Sequence, residues 1–299
     1  MATHTIYEPL DREEIVRHIS NYGYVLVNVL NNEESDQLKN EFYNWLFSLS
    51  PKVDINSWNT MPDQLFGIIK SYGIGQTEFM WKLRRNKKIR SIFRYLYDVD
   101  TNTQLVTSYD GVCYYPKQLA IEKENINLWT HVDIHPKRHS KKEFKTFQSF
   151  INLEDNTIEN DGAFVLCPHK LNYDFYKDIL YVQGNNDDND FFKVPIEYLK
   201  SKKVKLFSIH APKGTMVIWD SRIIHCNVPP TKSDIANLHD RLVAYICMVP
   251  KFMVSKDTLK KLKLWKKTNR TTSHSPINPN VNNDYVVYNK NTCIIPKVL

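Results

Sequence analysis

The chain has 299 residues, 42% of them hydrophobic and 12% aromatic, with a formal net charge of +7. That composition supplies enough apolar side chain for a packed core and excludes wholesale disorder. No run approaches the roughly 18 uninterrupted apolar residues of a membrane helix, and the first residues lack the charged-then-apolar pattern of a secretory leader. The five cysteines (Cys113, Cys167, Cys226, Cys247 and Cys293) form no Cys-x-x-Cys pair. Neither a disulfide framework nor a structural zinc site is indicated, and a cytoplasmic, reducing setting is the expectation.

In chain order, Asp11 and Glu14 bracket a capping-box-like helix start, with Ile15, His18 and Ile19 on one face. Gly23 suits the left-handed position that ends such a helix. The β-branched run Tyr24 to Leu30 reads as a buried strand. Asn31 or Asn32 then caps a second helix, in which Leu38, Phe42, Trp45, Leu46 and Leu49 recur at helical spacing up to Pro51. Residues 51–75 are irregular and rich in turn formers, which suits a lid or a structural excursion. Gln76 to Tyr97 predicts one or two helices, with Lys82, Arg84, Arg85, Lys87, Lys88 and Arg90 as their solvated face.

From Gln104 the pattern changes to short strands separated by turns, at 104–109, 111–115, 127–132, 146–152, 163–166, 204–209, 215–219, 222–225 and 241–249. Many short strands at this pitch predict a sandwich or jelly roll. Residues 185–190 are a polar surface loop too irregular for an EF-hand. After Pro250 comes a basic helix, about 255–267, and then an Asn-rich tail expected to be loose. The Lys251–Arg270 segment holds eight basic residues against Asp257 alone, a local charge that equals the whole net excess.

The chemistry-bearing stretch is Trp129-Thr130-His131-Val132-Asp133, with an answering His225 in Trp219-Asp220-Ser221-Arg222-Ile223-Ile224-His225. A His-x-Asp pair on a strand presents both side chains on one face. Two histidines and one carboxylate form the facial triad that holds non-haem Fe(II) with open positions. A 2-oxo dicarboxylate beside such a metal needs a fixed cation, best an arginine. Arg241 opens a strand 16 residues after His225, consistent with two neighbouring antiparallel strands. Asn227 shares the face of His225 and is a further candidate for that carboxylate.

Blander readings stand beside this one. His-x-Asp by itself is a common surface or capping pair, and two His with one Asp also serve zinc hydrolysis. Arg241 suits a salt bridge to Asp240 or Asp220. His135, His139, His169, His210, His239 and His274 are other histidines in reach of no assigned role. The conjunction of His-x-Asp, a distant strand histidine and a strand arginine is what favours iron.

The same residues resemble the phytanoyl-CoA dioxygenase-like (PhyH) family of Fe(II)/2-oxoglutarate-dependent oxygenases. The likeness runs through Ile15–Leu49 with its "VLNNEESDQL", Trp129–Asp133, Gln148–Leu153, Asp161–Lys170, Trp219–His225 and Arg241. It is nearest to a branch that shares the Trp-Asp-Ser-Arg run and Thr271-Thr272-Ser273-His274-Ser275-Pro276 near the C-terminus. Two departures are Cys167-Pro168, where the family has Gly-Ser, and a longer His-to-Arg spacing, for which Arg222 is the other arginine at hand.

The resemblance implies an α+β fold with a double-stranded β-helix (jelly-roll, cupin-like) core flanked by N-terminal and C-terminal helices. The chain would be a single domain over 1–299, with a helical scaffold at about 1–100, the core at about 104–250, and the basic helix and tail at 251–299. It implies Fe(II) held by His131, Asp133 and His225, 2-oxoglutarate held by Arg241, and O₂ as oxidant. Tyr114, Gln148 and Trp129 are candidates for the other polar contacts of 2-oxoglutarate. The implied reaction hydroxylates a small-molecule substrate with release of succinate and CO₂, and the Asp133 ligand favours hydroxylation over halogenation. The basic 82–90 and 251–270 segments would suit an acidic or CoA-linked compound. Two alternatives are a nucleic-acid-directed oxygenase using 251–270, with Phe252 and Trp265 interleaved, and a non-catalytic jelly-roll binding protein.

Overall fold

Two β-sheets face one another, and helices cover the outer side of the larger. The computed structural model describes residues 4–63, 66–134, 146–167, 191–233 and 235–281. His135, His139, His169, Cys293 and the 185–190 loop lie outside these residues.

The larger sheet has seven strands, here β1 (Ile6–Tyr7), β2 (Tyr24–Asn28), β3 (Ile68–Ile69), β5 (Val112–Tyr115), β7 (Phe147–Asn152), β11 (Thr215–Asp220) and β13 (Arg241–Tyr245). Their order is β1-β2-β11-β7-β13-β5-β3. The smaller sheet is formed by β6 (His131–Val132), β8 (Ala163–Leu166), β9 (Phe192–Lys193), β10 (Phe207–Ile209) and β12 (His225–Val228), in the order β10-β8-β12-β6-β9. β4 (Leu105–Thr107) and β14 (Met248–Pro250) make a separate pair. Among the described strands all pairings are antiparallel except β1 with β2.

Strand alternation divides the core into two layers. From the large sheet, Val112, Tyr114, Ile151, Met216, Ile218, Leu242 and Ala244 point outward. They meet Ile15 and Ile19 of α1 (Arg12–Tyr22), Phe42 and Leu46 of α2 (Asn32–Phe47), Phe79 of α3 (Glu78–Arg85), and Ile92 and Phe93 of α4 (Lys87–Tyr97). The intervening residues Cys113, Phe150, Val217, Trp219 and Val243 point inward against Phe164, Leu166 and Ile209 of the small sheet. Two further helices are α5 (Ile196–Ser201) and the basic α6 (Lys256–Lys267). Among the described residues, no helix is long and apolar enough to cross a membrane.

Local chemistry accounts for most element ends. Asn31 Oδ1 accepts from Glu34 N at 2.8 Å and Glu34 Oε2 accepts from Asn31 N at 2.8 Å, a full capping box at the start of α2. At α1 the expected box is absent. The Asp11 backbone (ψ 53°) is not extended, and its carboxylate accepts from Glu8 N instead. Gly23 closes α1 at φ +81°, where a Cβ would also strike the Ile223 side chain.

The structure corrects several sequence expectations. Within residues 1–100 the expected strand is β2, and the unforeseen β1 and β3 join it in the large sheet. The irregular 51–75 stretch docks on that sheet: β3 pairs with β5, and Trp58 stacks on Tyr115. Arg84 is no solvated residue. It is 1% exposed and donates to the Gly75 and Asp110 carbonyls, the latter at 2.9 Å, and burial lowers its pKa to about 10. The strand expected at 222–225 begins only at His225. Asp220 accepts from Arg222 N and its guanidinium, and Ile223 N donates to Asp220 O, which makes 221–224 a turn from the large sheet to the small one.

Candidate metal centre

β6 and β12 are so registered that His131 and His225 stand directly opposite one another, with ring centroids 4.3 Å apart. Cross-strand partners on one face bring their side chains into contact. Asp133 lies two residues beyond His131, on the same side, and its N–H donates to Ser221 O at 3.0 Å. The three atoms that could hold a metal ion lie within 4.8 Å of one another, and the residues are only 6%, 6% and 3% exposed, for His131, Asp133 and His225 respectively.

The orientation of both imidazoles follows from their hydrogen bonds. His131 Nδ1 meets Trp129 O at 3.1 Å and His225 Nδ1 meets Ile223 O at 2.9 Å. A carbonyl oxygen only accepts, so each Nδ1 carries the proton and each Nε2 keeps its lone pair. Those Nε2 atoms face Asp133, at 3.7 Å from Oδ1 for His131 and 3.5 Å from Oδ2 for His225. This is the usual outer support of a metal-ligating histidine.

Burial pushes the His131 imidazole down to about 3, and the adjacent His225 pushes the same way. Burial lowers His225 as well. For Asp133 burial acts upward, but His225, His274, His131 and the Trp219 indole outweigh it and hold the carboxyl below its ordinary value. Trp219 Nε1 donates to Asp133 Oδ2 at 2.7 Å. Two neutral imidazoles and one carboxylate are in the proton-free form that metal ligation needs, and together match a 2-His-1-carboxylate donor set.

These groups open onto a cavity of about 100 Å³ that Asp110, Trp129, Gln148, Phe164, Tyr245 and His274 also line. A larger hollow of about 560 Å³ lies between α1, α4 and the Asp220–Ile223 turn. Four of its charged residues pair with one another, Arg12 with Asp98 and Arg222 with Asp220. Volume alone therefore does not mark the chemistry, and the small cavity is the one where ligand atoms converge.

Arg241 sits on the large sheet and His225 on the small one, so they are not neighbouring strands of one sheet as the spacing suggested. The chain between them passes from the small sheet to the large one. Arg241 is 2% exposed. Its Nη2 donates to Asn227 Oδ1 at 2.5 Å and its Nη1 to Gly162 O at 3.2 Å, while Nε has no partner among the described residues. The carboxylates proposed as its salt-bridge partners are engaged elsewhere. Asp220 pairs with Arg222, and Asp240 accepts from Tyr43, Tyr114 and the Lys117 N–H. Arg241 thus has no carboxylate partner among the described residues, and Arg222 is drawn away from the cavity.

The remaining candidates divide. Gln148 is 4% exposed and lines the cavity, with no hydrogen bond to its amide among the described residues. Asn227 bonds Arg241 through Oδ1 and the Tyr245 hydroxyl through Nδ2, so it holds the arginine. The Trp129 N–H is spent on Asn227 O at 3.0 Å, and its ring is stacked between Phe66 and His131. It is a wall and not a polar contact. Tyr114 points to the other side of the large sheet, where it packs on Phe42 and bonds Asp240, and it is removed from the cavity. Of the other described histidines, His239 pairs with Asp161, and His274 reaches Asp133 O at 3.1 Å. Sequence reasoning set His274 aside; the Thr-Thr-Ser-His-x-Pro run was the available signal. Trp265 of the basic segment is half-buried, whereas Phe252 and Leu264 are exposed, at 76% and 57%.

No family model matches the chain, and no curated protein matches it. Solved structures do. A hypothetical protein, JW0805 from Escherichia coli, is 15% identical with a TM-score of 0.55, covering 90% of this chain and 78% of that one. The non-heme alpha ketoglutarate dependent epimerase SnoN from nogalamycin biosynthesis is 15% identical with a TM-score of 0.51, covering 81% and 84%. HygX from Streptomyces hygroscopicus, with nickel and 2-oxoglutarate bound, is 14% identical with a TM-score of 0.51, covering 80% and 87%. At these identities the likeness is one of fold.

Proposed function

We propose that this chain is an Fe(II)- and 2-oxoglutarate-dependent dioxygenase acting on a small organic substrate, built as one double-stranded β-helix domain with flanking helices. The observation that carries the reading is the buried His131–Asp133–His225 group together with a buried Arg241 that lacks a carboxylate partner among the described residues. A buried guanidinium without a counter-ion is costly, and a bound dianion offsets that cost. Similarity of fold to SnoN and HygX, one described as alpha ketoglutarate dependent and the other holding 2-oxoglutarate, supports the same reading.

Each residue has a definite task. His131 and His225 present Nε2, fixed by their Nδ1–H bonds to main-chain carbonyls. Asp133 supplies the anionic oxygen, with Oδ2 steadied by Trp219. Arg241, aimed by Asn227 and Gly162 O, takes the distal carboxylate of 2-oxoglutarate. Gln148 is left to contact the 2-oxo-acid end. When bound, Fe(II) supplies the open coordination positions and the redox chemistry that convert 2-oxoglutarate and O₂ to succinate and CO₂ while the substrate is oxidised. The Trp129–Phe66 stack and Phe164 exclude water from that reaction. The carboxylate in the ligand set favours hydroxylation over halogenation, because it fills the position a halide would take.

The test is anaerobic loading with Fe(II) followed by O₂ and 2-oxoglutarate, with succinate measured. His131→Ala and Asp133→Ala are each expected to abolish succinate formation and metal retention. Turnover that survives either change would end this reading.

A further inference from the structure

The C-terminal segment that follows α6 does not behave as a tail. Gln76 Nε2 donates to Arg270 O at 2.7 Å, and Gly75 N donates to Thr271 Oγ1 at 3.2 Å. Tyr109 N donates to Thr272 Oγ1 and Thr272 N to Tyr109 O, both at 2.9 Å. Thr271 and Thr272 are 3% and 0% exposed. Beyond them the chain turns back on itself: Ser273 N donates to Asn280 O at 2.7 Å, and Thr258 of α6 donates to Ile277 O. The surface that receives the segment is itself braced, because Arg84 donates to the carbonyls of Gly75 and Asp110. A Cβ on Gly75 would lie 2.0 Å from Tyr109 O, so these two strips of backbone are in close contact.

This anchoring sets His274 in the wall of the cavity. Its Nε2 lies 3.1 Å from the main-chain oxygen of Asp133 and 4.0 Å from Oδ1 of the same residue. The carbonyl only accepts, so Nε2 carries the hydrogen and cannot at the same time ligate a metal. His274 thus bonds Asp133 through Nε2 and lies outside the His131–Asp133–His225 group whose candidate ligand atoms converge. Asp133 has three fixed points: its N–H on Ser221 O, its Oδ2 under Trp219 Nε1, and its carbonyl under His274. The first two come from the turn and strand before His225; the third arrives from a segment 141 residues later in the chain.

We propose that residues 270–281 are a built-in strap of the metal centre, delivering His274 as a positioning residue that fixes Asp133 for metal binding. The proposal rests on the metal reading above. It also gives the basic helix a role, since α6 carries the chain from β14 round to the cavity, with Lys266 seated over the Trp81 ring at 4.0 Å.

The experiment is a titration of the full-length apo chain with Co(II), read by its ligand-field absorption and by equilibrium dialysis. Loss of an outer partner of a metal ligand typically costs about 10- to 100-fold in affinity. His274→Ala is expected to weaken Co(II) by that factor and to change the absorption spectrum. His274→Gln, whose amide nitrogen occupies the place of Nε2, is expected to recover most of both. Thermal unfolding of the apo variants separates this from a folding defect. A wild-type chain that binds no Co(II) overturns the metal reading itself. A wild-type chain that binds Co(II), with a folded His274→Ala of equal affinity and spectrum, overturns the strap alone. The same holds if folded His274→Gln is as weak as His274→Ala.

Discussion

Arg241→Lys isolates what the guanidinium does. In the structure two of its nitrogens are held by protein acceptors, Asn227 Oδ1 and Gly162 O, and Nε is left over. A lysine keeps the charge but offers a single ammonium in place of a fork aimed by those two bonds. The loss is at least one charge-assisted hydrogen bond to the co-substrate carboxylate, about 1.5–3 kcal/mol. At about 1.4 kcal/mol per tenfold, 2-oxoglutarate affinity should fall roughly 10- to 150-fold. The assay is calorimetric titration of 2-oxoglutarate into anaerobic, metal-loaded protein, with metal affinity measured separately and expected to be unchanged. A 2-oxo acid without the distal carboxylate should bind wild type and variant alike. Unchanged 2-oxoglutarate affinity in the variant would refute the assignment of Arg241.

Two further outcomes follow from the same geometry. Tyr114→Phe should leave 2-oxoglutarate turnover intact and lower stability by about 1 kcal/mol in chemical denaturation, because its hydroxyl serves Asp240 on the helix side of the sheet. The apo protein should lose stability on acidification. His131 falls from an ordinary 6.5 to about 3 on folding, so the unfolded chain binds the extra proton. The stability from keeping it neutral is complete above 6.5 and lost progressively as the pH falls toward 3. Asp133, also lowered, adds loss at the acid end, whereas Asp110, raised by burial, works against it. Thermal melts across this range should show the decline, and His131→Gln should flatten it.

What the sequence determined by itself was what local chemistry fixes. Side-chain period placed most strands and the apolar faces of α1 to α4, because alternation and 3.6-residue spacing are properties of the chain alone. A cap at Asn31 or Asn32 and the closing Gly23 were legible for the same reason, whereas the capping box was expected at Asp11 and is found at Asn31. His131 and Asp133 were readable as a pair since residues two apart in extended chain share a side, although β6 itself ends at Val132. Pairings between distant segments were decided only by the tertiary structure. The register that sets His131 opposite His225 depends on which strands meet. The move of Arg241 to the opposite sheet depends on where the chain crosses. Arg84, one cation in a run of six, was indistinguishable from its solvated neighbours until helix packing turned it inward onto Asp110 O. Tyr114 left the site because its place in β5 points it at Phe42, and a one-residue difference in a strand reverses the side. His274 entered the site because Thr271 and Thr272 bond to backbone strips near 75 and 109, remote in sequence, and no local pattern encodes that contact.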